Sequence, residues 1–225
     1  WPPDIGSCPE REYQFRQCEW EECRFRFPVQ VDALRAKRCP VCGSDTYKVG
    51  EPASGEDNKK DSLIRPTFEG LLDNIRSIHN VGSMFRSADG AGVSHLHLCG
   101  MTATPAHAKL TKAALGAQEK VAWSYSSNGL DTAVVLKEQG YQLWAIEAAP
   151  GAQPFYAANP VLQNSRIVVI VGNEKAGVDP GILAICDQTF SLPMHGFKQS
   201  LNVAVAFGIV AYTLRFGVTV QPEEF

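Results

Sequence analysis

The chain has 225 residues, 44% of them hydrophobic, enough to bury one full-sized core with room for a small accessory module. Its formal charge of -3 excludes a global basic field, so any grip on nucleic acid must come from a local patch. The opening Trp1-Pro2-Pro3-Asp4 shows no basic start followed by an apolar stretch, and the most apolar segment, Leu201 to Leu214, falls short of the roughly 20 residues a spanning helix needs; the expectation is a soluble, cytoplasmic protein with no membrane segment.

Five of the seven cysteines lie near the start: Cys8, Cys18, Cys23, Cys39 and Cys42. Cys18-x4-Cys23, fifteen further residues and then Cys39-Pro-Val-Cys42 give two short-spaced pairs, the ligand spacing of a tetrahedral zinc site. Gly43, just past the second pair, is suited to the positive φ of a knuckle turn. Four thiolates leave no open position for chemistry, so such a module serves recognition or packing. Disulfides are the alternative, but nothing in the sequence marks an oxidising destination. Cys8 fits neither pair. Arg11, Arg16, Arg24, Arg26, Arg35, Lys37 and Arg38 surround the cysteines. They either grip phosphate or form a solvated face neutralised by Glu10, Glu12, Glu19, Glu21, Glu22 and Asp32. The remaining Cys99 and Cys186 stand beside apolar runs and read as core.

The organisation predicted is a zinc-ribbon-like module over 1–48, a linker over 49–62 and an α/β domain over 63–225. Residues 49–62 read VGEPASGEDNKKDS, without aromatic residues and with Pro, Gly, Ser and mixed charge. Beyond them, short apolar runs alternate with helical patterns, which signals a parallel sheet covered by helices. Strands are expected near Phe68–Asp73, His95–Cys99, Val121–Tyr125, Gln142–Ile146, Ile167–Val171 and Gln188–Leu192. Helices are expected over Val81–Gly90, after Thr104 as N-cap with Pro105 in the first turn, over Leu130–Gln139 and over Val203–Phe216. The last is apolar on every side and predicts burial all round.

Three polar, glycine-bearing segments interrupt these patterns, where functional loops are expected. The first runs from Asn74 to Gly92 and contains Asn80 and Arg86; the second is Ile167-Val-Val-Ile-Val-Gly172-Asn173-Glu174-Lys-Ala-Gly177; the third contains Leu192-Pro193-Met194 and Ser200-Leu201-Asn202. Gly172 ends a buried strand and lets backbone approach a ligand, while Ser200 reads as N-cap of the final helix, aiming amides and dipole at the same crevice. A phosphate loop is excluded, because Val178 and Asp179 stand where Lys and Ser/Thr would be required. Gly90-x-Gly92 lacks the third glycine and the preceding strand of a dinucleotide fingerprint.

In this order and spacing the segments resemble the three signature motifs of TrmH (SpoU)-type RNA 2′-O-ribose methyltransferases of the SPOUT superfamily: N-x5-R, an apolar strand ending G-x-E-x-x-G, and L-P-M followed by S-L-N. The resemblance runs from about Ser62 to Phe216. It implies an α/β fold with a parallel sheet and a deep C-terminal trefoil knot, an exception to the rule of unknotted chains. It implies Asn80, Arg86, Glu174, Ser200 and Asn202 in the active site, with S-adenosylmethionine held by Ile146, Glu147, Ala148, Val171, Gly172, Asn173, Leu192, Met194, Ser200 and Leu201. It also implies tRNA or rRNA as substrate and a homodimer in which the motif-one arginine can serve across the interface. Taken one at a time, each catalytic candidate has a structural alternative: Asn80 as a helix cap, Arg86 in a surface ion pair, Glu174 as a loop anion, Ser200 as a plain cap and Asn202 in a first turn.

Methyl transfer is an in-line displacement, so the 2′-oxygen must be aligned and its poorly acidic proton removed. Arginine stays protonated at neutral pH, which favours Arg86 as a phosphate clamp and stabiliser of charge on the 2′-oxygen. Two other readings compete: a non-catalytic RNA-binding module that keeps the fold, and base methylation, which would need a side chain suited to deprotonating a ring nitrogen.

Overall fold

The computed structural model describes residues 13–31, 37–50, 67–157 and 166–217, so Cys8, Arg11, Arg35 and most of the predicted linker lie outside the described residues. The chain divides into two compact units between Ser62 and Leu63. In the first, β1 (Tyr13–Cys18), β2 (Arg26–Gln30) and β3 (Thr46–Gly50) form an antiparallel sheet in the order β2-β1-β3. Its only buried hydrophobic residues, among those described, are Cys18 and Cys39. A sheet of this size with so little buried apolar surface among its described residues gains from a further tie.

The second unit contains β4 (Phe68–Asp73), α1 (Ile78–Ala91), β5 (His95–Cys99), α2 (Ala108–Ala114), β6 (Ala122–Ser126), α3 (Gly129–Glu138), β7 (Gln142–Ile146), β8 (Gln153–Pro154), β9 (Ile167–Val171), α4 (Pro180–Ile185), β10 (Gln188–Ser191) and α5 (Val203–Phe216). The strands make one sheet in the order β6-β5-β4-β9-β7-β10-β8, and each pairing is parallel. β9 is IVVIV, buried at every position because both faces of a central parallel strand are covered. On one face Phe85 and Met84 of α1 and Phe207, Val210 and Leu214 of α5 close over Phe68, Leu72, Leu96 and Val169. On the other, Ala133 and Leu136 of α3 and Ile182 of α4 close over Leu71, Leu143, Val168 and Ile170. Cys99 is buried and Cys186 half-buried, and burial pushes both thiols up to about 11, so neither is a reactive thiolate at neutral pH. Among the described residues no helix is long and apolar enough to cross a membrane.

Every predicted strand is present, four of the six with the predicted bounds. The helices need correction. α1 begins three residues early, with Ser77 as its N-cap, so Asn80 lies inside the helix and is not its cap. α2 begins at Ala108, where the His107 ring nitrogen accepts from the Lys109 amide at 3.2 Å. Thr104 instead accepts the His107 amide in a preceding turn, so Thr104 and Pro105 do not start the helix. α5 begins at Val203 and is capped by Asn202, not Ser200. Nor is α5 buried all round: Val205 is 50% exposed and Tyr212 47%. α4 and β8 are additions that the sequence patterns do not mark.

Candidate active site

The C-terminal ends of β7, β9 and β10 bring the second and third polar segments beside one another, the usual place for a ligand in an open parallel sheet. Gly172 follows β9 and is itself buried. A Cβ there would collide with the backbone of Gly177 and Val178, because the chain folds back on itself through paired Asn173 and Gly177 amides. Gly177 has a φ of 76°, and a Cβ on it would strike the Glu147 carboxylate. Glycine is therefore required at 172 by the backbone packed against it and at 177 by the left-handed φ. Asn173 fixes this loop from inside: its side-chain oxygen accepts from the Lys175 and Ala176 amides, and its Nδ2 donates to the Asn74 carbonyl at 2.8 Å. Glu147 accepts from the Val178 amide at 2.9 Å and from the Ala148 amide at 3.0 Å.

Between this loop, the end of β7 and the start of α5 lies a cavity of about 280 Å³. Ile146, Glu147, Ala148, Val171, Gly172, Asn173, Leu192, Ser200 and Leu201, all expected at the cofactor, line it. Met194 is not among the lining residues. Lys175, Gly177, Gln199, Val203 and Ala206 also line it, beyond the ligands expected. All but Ala206 fall inside the quoted motifs or beside them; which members face inward depends on the turn of the loop and the phase of α5, neither visible in a linear pattern. The lining is two-sided in chemistry, with apolar Ile146, Leu192, Val203 and Ala206 beside backbone and polar groups. That suits a ligand with a flat aromatic part and a charged part.

Three of the five catalytic candidates meet through hydrogen bonds. Glu174 accepts from the amides of Arg76 and Ser77 and from Asn80 Nδ2, each at 2.9 Å. Asn80 Oδ1 accepts from Asn202 Nδ2 at 3.1 Å, and Asn202 Oδ1 caps α5 by accepting from Ala204 and Val205. The start of α1, the loop after β9 and the start of α5 are thus tied into one chain of polar contacts at the cavity edge. Burial pushes the Glu174 carboxyl up, but the donors from Arg76, Ser77 and Asn80 outweigh it and hold the group below the usual carboxylate range. Ser200 is exposed and lines the cavity. Arg86 stands apart, exposed on α1, and does not line the cavity.

In the first unit the Sγ atoms of Cys18, Cys23, Cys39 and Cys42 all lie within 4.8 Å of one another, with Cys18 and Cys42 at 3.4 Å and Cys23 and Cys39 at 3.8 Å. Four sulfurs around zinc at about 2.3 Å would sit roughly 3.8 Å apart, so the cluster has the dimensions of such a site. Gly43 has the anticipated positive φ, 76°.

Residues 70–212 match the SpoU rRNA Methylase family. The chain belongs to this family. A tRNA (guanosine(18)-2′-O)-methyltransferase of Aquifex aeolicus is 30% identical over 163 residues, 70% of each chain. The 23S rRNA (guanosine(2553)-2′-O)-methyltransferase RlmP of Bacillus subtilis is 34% identical over 146 residues, 64% of this chain and 56% of the relative, so this chain spans little more than half of that enzyme. Among solved structures, the A. aeolicus TrmH/SpoU tRNA modifying enzyme superposes with a TM-score of 0.61 at 27% identity, covering 68% of this chain and 76% of that one. An AdoMet-bound rRNA methyltransferase from Sinorhizobium meliloti gives 0.60 at 25% identity, covering 68% and 58%. SpoU membership and the parallel α/β fold agree with what the three motifs implied.

Proposed function

We propose that this SpoU-family protein transfers a methyl group from S-adenosylmethionine to a ribose 2′-hydroxyl of tRNA or rRNA. The observation that carries this reading is the convergence of the second and third motifs on one cavity, with the first tied to both through Asn80, Glu174 and Asn202. The relatives named as 2′-O-methyltransferases and the AdoMet-bound family structure support it. When bound, S-adenosylmethionine supplies an electrophilic methyl group on a sulfonium. Ile146, Leu192, Val203 and Ala206 offer it apolar contact, while the backbone of Gly172, Asn173, Ser200 and Leu201 offers polar contact. Glu174 and Asn80 hold the α1 start against the cofactor loop, and Asn202 fixes the start of α5 beside both. Arg86 holds the phosphate next to the target ribose and stabilises negative charge developing on the 2′-oxygen.

The reading includes a homodimer in which Arg86 of one protomer serves the cavity of the other. Its support is twofold: Arg86 does not line its own chain's cavity, and α5 presents exposed Val205 and Tyr212 along a groove with Ser83 and Ser87 of α1. It includes the trefoil threading, favoured by the late strand β9 lying between β4 and β7. It also includes one structural zinc on Cys18, Cys23, Cys39 and Cys42. The test of the activity is transfer of labelled methyl from S-adenosylmethionine to RNA, followed by mapping of the modified nucleotide. Substituting that nucleotide with its 2′-deoxy form is expected to abolish transfer; continued methylation would make a base the acceptor and end the ribose assignment.

A further inference from the structure

The sheet of the cysteine-bearing unit has two unlike faces. Residues directly opposed in an antiparallel pair share a face. The pairs Tyr13–Gln30, Phe15–Pro28, Gln17–Arg26 and Gln17–Tyr47 therefore put Tyr13, Phe15, Gln17, Arg26 and Tyr47 on one side. Gln14, Arg16 and Cys18 take the other, where the unit is occupied with itself: Gln14 and Cys18 are buried, and the Arg16 guanidinium donates to Thr46 Oγ1 at 2.8 Å. The first face is open. Tyr13 is 47% exposed and Tyr47 44%, with Arg26 exposed beside them and Phe15 half-buried between.

Charge separates this face from the rest of the protein. The three strands carry no carboxylate, in a chain whose formal charge is -3; Arg26 is the cation of this face, while Arg16 and Lys48, opposed to each other, belong to the other. Among the described residues the acids of the unit, Glu19, Glu21, Glu22 and Asp45, sit in the turns around the cysteines, and Asp45 is paired with Arg38 at 3.3 Å. Tyr13 and Phe15 are neighbours on one side of β1, about 6–7 Å apart, and Tyr47 is diagonal to Phe15 across β1 and β3, roughly 7–8 Å away, spacings over which successive unstacked bases can lie. Glutamines between the rings can reach base edges, and arginine can meet phosphate. Double-stranded nucleic acid offers no exposed base faces to such a surface.

We propose that this face, built on Tyr13, Phe15, Tyr47 and Arg26, binds single-stranded RNA by base stacking and phosphate pairing, delivering the substrate to the methyltransferase unit. The role in delivery rests on the function proposed above; the binding itself does not. The experiment uses the full-length, zinc-loaded chain and measures the affinity of a fluorescent 12-nucleotide single-stranded RNA and of an RNA duplex by anisotropy, at fixed salt. The double variant Tyr13→Ala, Tyr47→Ala is expected to lose at least about tenfold in single-strand affinity, given the usual worth of one stacked base. Tyr13→Phe, Tyr47→Phe is expected to bind like the parent, because stacking needs the ring and not the hydroxyl. Unchanged zinc content shows that the unit is folded. Photo-crosslinking of a 4-thiouridine RNA to the parent protein, with adducts mapped by mass spectrometry, supplies a readout that no variant can confound, and adducts are expected in β1 or β3.

Equal single-strand affinity of parent and alanine variant, or adducts confined to residues 67–217, would overturn the proposal and leave the face to a protein partner. So would a preference for duplex RNA. If the parent transfers no methyl group to any RNA but the alanine variant still loses single-strand affinity, the platform stands and the methyltransferase reading falls. If methyl transfer is found in a protein whose RNA affinity ignores Tyr13 and Tyr47, the methyltransferase reading stands and the platform falls.

Discussion

Glu174 accepts two backbone amides and one side-chain amide, so its negative charge is committed to holding the start of α1. A carboxylate used in this way is a positioning group and a poor candidate for taking a proton from the ribose. Its folded pKa lies below the ordinary carboxylate value of about 4.3, so the stabilisation it gives is complete above that value and is lost as pH falls through the folded pKa. Glutamine in its place can satisfy only one of the Arg76 and Ser77 amides and turns a donor toward the other. Glu174→Gln is therefore expected to lower Tm by a few degrees at pH 7, with the gap to the parent closing below about pH 4 as the parent's carboxylate is protonated. Thermal scans across pH check it, and a gap that persists undiminished at low pH would mean that charge is not what the loop uses. The pair Asn80 and Asn202 shows how the same residue types can serve local structure and function at once: Asn202 caps α5 with its oxygen while its nitrogen reaches Asn80.

At the scale of elements, the strands were legible in the sequence because buried parallel strands must be apolar throughout, and Ile167–Val171 satisfies that without exception. Helix starts were less so. Thr104 and Ser200 are good N-caps by type, but His107 and Asn202 hold those positions, since a cap is chosen by where tertiary packing lets the first turn begin. α4 spans six residues and β8 two, too short for periodicity to mark. The exposed side of α5 could not be read from composition, because an apolar surface awaiting a partner and an apolar core have the same residues. The cluster of Cys18, Cys23, Cys39 and Cys42 was legible from cysteine spacing alone, and among the described residues of its unit no aliphatic side chain is buried beside it. The protein is expected to hold about one zinc per chain. Cys39→Ser, or a strong chelator, should remove the metal and unfold residues 13–50 while the parallel-sheet unit keeps its thermal transition. Metal analysis with hydrogen exchange over both units checks this; full occupancy in the serine variant would exclude the four-thiolate site.

The whole molecule poses a question that one chain does not answer, because the cavity and Arg86 lie apart within it. If Arg86 acts on the ribose in the partner's cavity, two separately inactive variants can repair each other. Arg86→Ala keeps an intact cavity, and its affinity for S-adenosylmethionine should be nearly unchanged while turnover falls by about 100-fold or more, the scale of losing one charge-stabilising donor. Gly172→Ala keeps Arg86 but forces the loop away from Gly177, and should lose the cofactor. In a mixed dimer the intact cavity of the first variant faces the intact arginine of the second, and the other site has neither. Random exchange at equal concentrations makes half of the dimers mixed, each with one working site, so about a quarter of parental activity should return. An arginine acting within its own chain would restore nothing, since each chain then carries its own defect. Light scattering must show a dimer for both variants, and methyl transfer is followed after co-refolding or subunit exchange. Recovery near a quarter establishes service across the interface; activity no higher than that of the separate variants, with mixed dimers demonstrated by differential tagging, would confine Arg86 to its own protomer and remove the functional reason for the dimer.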